Sequence, residues 1–104
     1  MLDTTPEYTP DNWIIVKMPD TEDYKILAGW SGGYLNGSSW RLNSGIFRHE
    51  EFDDYINFIG YTGSVYRCLK DRECTRMNIM STLAVLKSNG ATQVDFCDYL
   101  QTTI

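Results

Sequence analysis

The hydrophobic pattern changes period part-way along the chain, and that change restricts the fold more than any other feature. In three segments that end by Lys70 apolar side chains recur at every second residue, the repeat of a strand with two distinct faces. Residues 24–30 place Tyr24, Ile26, Ala28 and Trp30 on one face and Lys25, Leu27 and Gly29 on the other. Residues 55–61 set Ile56 and Phe58 against Tyr55, Asn57 and Ile59, and residues 64–70 set Val65, Arg67 and Leu69 against Tyr66, Cys68 and Lys70. Beyond Thr75 the spacing lengthens. Ile79, Leu83 and Leu86 stand at i, i+4 and i+7 with Met80 beside them, the stripe of an amphipathic helix over 75–88. Strands first and helices last predict an α+β fold in which helices cover one face of an antiparallel sheet.

Turn chemistry divides the strand region. Trp13, Ile14, Ile15 and Val16 suit a pleated, half-buried strand over 12–18. Pro19, Asp20 and Thr21 turn it back toward 24–30 as a hairpin. Asn36-Gly37 is a type I′ turn signal, with Tyr34-Leu35 and residues 39–42 as short arms beside it. Residues 46–49 form a short strand, residues 50–54 a polar connection, and Thr62-Gly63 the turn of a second hairpin. Asn89-Gly90 stops the helix, since glycine accepts the left-handed conformation there. Thr92 and Asp95 have the spacing of a capping box ahead of a short final helix that holds Val94, Phe96, Tyr99 and Leu100. The expectation is an antiparallel sheet of about five strands built from hairpins, then one or two C-terminal helices packed on one face. Residues 1–11, broken by Pro6 and Pro10, read as a flexible N-terminal arm, and 12–104 as a single α+β domain.

With 104 residues the chain supports one core. Residues 1–10 carry no Lys or Arg, unlike a secretory leader, and no apolar run approaches the roughly 20 residues of a membrane span. The net charge of −5 disfavours a general grip on nucleic acid or on anionic membranes. That charge is unevenly spread. Residues 1–24 hold six acids against Lys17 alone, whereas residues 25–49 hold Lys25, Arg41 and Arg48 and no acid. Cys68, Cys74 and Cys97 are an odd number without a CxxC pair, which suggests reduced thiols, and His49 is the sole histidine. No cofactor or metal is expected.

The acid-free stretch from Gly29 to Gly45 is the strongest candidate for a binding surface. It holds five of the eight glycines, several Ser and Asn, and the rings of Trp30, Tyr34 and Trp40 beside Arg41. Trp, Tyr and Arg on a Gly-rich frame give large contact area at low entropic cost. The candidate binding residues are therefore Trp30, Tyr34, Trp40 and Arg41. The plainer alternative is that the glycines make turns and the rings close the core. Gly29, Gly32 and Gly33 match neither the P-loop nor the dinucleotide fingerprint. Glu50, Glu51, Asp53 and Asp54 lack the ligand alternation of an EF-hand loop and read as a solvated turn. They also motivate an alternative function, an acidic DNA mimic that inhibits a nucleic-acid enzyme. Cys68 with His49 is a weaker nucleophile–base pairing. Met77, Met80, Leu83 and Leu86 suit core packing better than a partner helix.

The strings Ala-Gly-Trp-Ser-Gly-Gly-Tyr (28–34), Ser-Trp-Arg-Leu-Asn-Ser-Gly-Ile (39–46) and Gly-Ser-Val-Tyr (63–66) resemble small proteins of tailed phages, especially contractile-tailed phages of marine cyanobacteria. The resemblance would span residues 12–90 and carries over no catalytic or ligand role. It implies a viral accessory protein made in the host cell cytoplasm, consistent with free thiols. The resulting expectation is a non-enzymatic protein-binding module whose partner is a host or phage protein. A minor structural virion component, self-associating through a strand edge, is a further alternative.

Overall fold

The computed structural model describes residues 6–21, 23–31 and 39–102. The chain is α+β. Its described strands are β1 (Asn12–Lys17), β2 (Tyr24–Trp30), β3 (Ser39–Leu42), β4 (Ile46–Glu51), β5 (Tyr55–Gly60), β6 (Val65–Leu69) and β7 (Thr92–Val94). The helices are α1 (Met77–Ser88) and α2 (Phe96–Thr102). All strand pairings are antiparallel, in a four-stranded sheet ordered β3-β2-β1-β7 and a three-stranded sheet ordered β4-β5-β6. Six of these strands fall where strands or hairpin arms are expected, β3 on the expected arm at 39–42. Strand β7 is the addition, and with β3 it flanks the β1–β2 hairpin in the first of two sheets where a single sheet was expected.

Three layers result. Trp13, Ile15, Ile26 and Ala28 face the second sheet and pack with Ile56, Phe58, Tyr66 and Cys68. Ile14, Val16 and Leu27 face the other way and pack with Ile79 and Leu83 of α1. Both faces of β1 are thus covered. Residues 12–16 are all buried, which explains why Trp13 to Val16 read as a continuous apolar run without alternation. The half-buried strand expected there is corrected by the helix that covers its second face.

The C-terminal elements depart from the expectation locally. Thr92 is not a helix cap. It lies in β7 opposite Lys17, because the edge of β1 offers unpaired backbone groups that residues 92–94 take up. Glu73 does the capping instead, its Oε2 accepting the Phe96 N–H at 2.8 Å. Phe96 and Tyr99 of α2 enter the inter-sheet core. Helix α1 ends as expected at Asn89, with Gly90 at φ +103°.

Two buried asparagines serve the backbone. Asn43 Oδ1 accepts the N–H groups of Ile26 and Gly45, at 2.9 and 3.2 Å, where β3 has ended. Asn12 joins β1 to the start of α1, accepting from Asn78 Nδ2 at 2.6 Å and donating to the Cys74 carbonyl.

Candidate functional site

The β2–β3 register decides how the candidate residues are shared between the two faces. Arg41 lies opposite Ala28, Trp40 opposite Gly29, and Ser39 opposite Trp30. Cross-strand partners share a face and neighbours along a strand alternate. Arg41 therefore shares the inner face with Ala28 and Trp30. Trp40 points to the face that α1 covers. Tyr34 lies outside the described residues.

Trp30 and Arg41 do converge, around a residue the sequence reading left in a loose arm. The ring of Tyr8 stacks on Tyr66 at 4.8 Å between centroids and meets Trp30 edge-on at 6.2 Å. The Arg41 guanidinium sits 4.7 Å from the centre of the Tyr8 ring. The backbone fixes the same segment. Glu7 and Tyr8 N–H groups donate to the Val65 carbonyl at 2.9 and 3.2 Å, and Arg67 N–H donates to the Tyr8 carbonyl at 2.8 Å. Tyr8 thereby bridges in parallel to Tyr66, on the side of β6 away from β5. Trp30 Nε1 donates to the Thr9 carbonyl at 3.2 Å, and Asp11 Oδ2 accepts the Ser31 N–H at 2.8 Å. Burial pushes the Tyr66 hydroxyl up to about 12, against the pull of Arg41. The sequence signal for this docking is the run from Pro6 to Pro10. Two prolines bias the residues before them toward extended backbone, with a single aromatic between them.

Trp40 has a different environment. It is 51% exposed on a four-residue strand that, among the described residues, pairs only with β2. The other large apolar residues in solvent are spread over the surface. Phe47 and Tyr61 form an edge-on pair, while Met77 at 86% exposure and Met80 line a shallow hollow with Ala84 on α1. Leu83 and Leu86 turn inward, so the helix residues named from sequence divide between core and surface.

The remaining candidates do not assemble as catalytic groups. Cys68 is fully buried, and burial raises its thiol well above the ordinary range. His49 lies across β5 from Tyr66, not from Cys68, and its Nδ1 meets Tyr99 Oη at 3.2 Å. Strands β4 and β6 stand two sheet spacings of roughly 4.8 Å apart, beyond hydrogen-bond reach. The acidic cluster is also divided. Glu50 pairs with Arg48 at 2.9 Å and Glu51 with Lys70 at 2.7 Å, leaving Asp53 and Asp54 exposed in the connection. Among the described residues no three His, Cys, Asp or Glu side chains gather as metal ligands, and no helix is long and apolar enough to cross a membrane.

The fold defines a hairpin-built α+β protein with one helix on the outer face of a two-sheet core. No protein-family model, curated protein or solved structure matches the chain.

Proposed function

We propose that this chain is a non-enzymatic protein-binding module, a small viral accessory protein of the kind its resemblance to phage proteins implies, acting in the host cytoplasm. The exposure of Trp40 at the sheet edge carries this reading. A half-exposed tryptophan on a short edge strand, next to exposed Arg41, has the composition of an interface anchor. Trp40 is the contact residue, and Trp30 and Arg41 support the surface from the inner face through Tyr8. The DNA-mimic alternative loses support from the pairing of Glu50 and Glu51 with cations.

The test is quantitative affinity capture from a cyanobacterial host lysate with wild type and Trp40→Ala. Arg41 stays unchanged because its guanidinium holds Tyr8. One partner captured by wild type and lost by a variant of unchanged melting temperature is the expected result. Equal capture by both chains would remove Trp40 from the interface, and no specific partner for either would count against the module reading.

A further inference from the structure

Three strands, β2, β3 and β6, hold the N-terminal arm, and they engage two of its properties, its extended backbone and its aromatic ring. The outer edge of β6 binds its backbone through the Val65 carbonyl and the Arg67 N–H. Tyr66 and Trp30 bind the Tyr8 ring by its face and its edge, and Arg41 contributes a cation over the ring. Main-chain bonds of this kind accept any extended segment, and the ring contacts select an aromatic side chain. None of these contacts requires the inserted strand to belong to the same chain.

We infer that this slot is a peptide-binding groove whose resident occupant is the chain's own residues 6–9. In the complex, a partner protein places an extended segment bearing a tyrosine or phenylalanine there, parallel to β6. This rests on the protein-binding reading above and names the form the partner takes. Arm exchange with a second copy is the poorer alternative. It makes the same contacts while losing the effective concentration of a tethered arm, on the order of millimolar. A foreign segment gains when its protein adds further contacts, and the half-exposed Trp40, on the opposite face of the short strand that carries Arg41, is open to a partner that grips both faces of β3.

The test uses a fluorescent synthetic peptide of residues 4–11 (Thr-Thr-Pro-Glu-Tyr-Thr-Pro-Asp) and full-length protein. Tyr8→Ala, its slot emptied of the ring, is expected to bind the peptide saturably and about tenfold or more tighter than wild type does. Replacing the peptide tyrosine with phenylalanine preserves binding, and replacing it with alanine abolishes it. A folded Tyr8→Ala protein that binds none of the peptides, or binds the Tyr and Ala peptides equally, overturns the inference. Should Tyr8→Ala fail to fold, wild type decides by hydrogen exchange. The Arg67 amide should exchange far faster than amides of the β5–β6 ladder, and equal protection would show an arm that does not detach. A partner captured through Trp40 by a chain that binds no peptide leaves the module standing and overturns the groove alone.

Discussion

Single titratable groups report how the inter-sheet core treats charge. Burial pushes the hydroxyls of both Tyr66 and Tyr99 up to about 12 from an ordinary 10.0, the effect at Tyr66 being opposed by Arg41. A group whose folded pKa lies above its unfolded value stabilises the fold fully below the unfolded value and loses that contribution as pH rises through the folded one. Stability should therefore fall between pH 10 and about 12. Tyrosinate absorbance should show a late-titrating pair whose appearance coincides with loss of near-UV ellipticity. Titration of all seven tyrosines in one step near pH 10.0, with the fold intact, would refute the burial of these two. Glu73 obeys the same sign. Burial raises its carboxyl, with the Phe96 N–H pulling the other way and Asp95 adding to the rise. Its ionisation thus opposes folding as pH rises. Glu73→Gln keeps an oxygen for the Phe96 N–H and removes the charge. The variant should melt above wild type at neutral pH, with the gap closing in acid as Glu73 protonates.

Where elements meet, close backbone approach sets the tolerance to change. A Cβ on Gly29 would stand 2.7 Å from Asn78 Nδ2, and that side chain is held by Asn12 at 2.6 Å. Gly29→Ala should therefore cost about 1–3 kcal/mol, read from denaturant midpoints. Gly90 combines φ +103° with a Cβ direction 3.1 Å from Pro19 Cβ. Gly90→Ala should cost roughly 1–2 kcal/mol from the left-handed conformation alone. The glycine stop of α1, the Gly63 turn and the face assignments of β2, β5 and β6 were legible because each follows from local chemistry. Position Thr92 misled for the same reason. Its spacing to Asp95 is that of a cap, but the open edge of β1 claims residues 92–94 as a strand, and Glu73 from a distant segment caps α2. The candidate site was legible in part. Trp30 and Arg41 do gather, yet around Tyr8, whose partner strand β6 lies more than fifty residues away. Alternation along β3 separates Trp40 from them, a consequence of register that composition does not encode.

Across the whole molecule, β1 belongs to two cores. Trp13 and Ile15 enter the inter-sheet layer with Phe58, and Ile14 and Val16 enter the layer beneath α1 with Ile79 and Leu83. One backbone carries both sets, so β1 cannot loosen toward α1 without shifting Trp13 and Ile15. The Trp13 ring is further tied by Nε1 to the Leu69 carbonyl at 2.7 Å and lies 5.6 Å from the Phe58 ring. Cooperative unfolding of all three layers follows from this sharing. Ile79→Ala, made on the helix side alone, should cost about 2–5 kcal/mol, because a fully buried side chain leaves a cavity. That loss is a large share of a typical domain stability of roughly 5–15 kcal/mol. Near-UV ellipticity reports the inter-sheet rings, and far-UV ellipticity reports α1 together with the strands. Both midpoints in urea should move down together in Ile79→Ala and remain coincident. If the far-UV transition moves while the near-UV transition keeps its wild-type midpoint, α1 unfolds as a separate unit and β1 does not couple the layers.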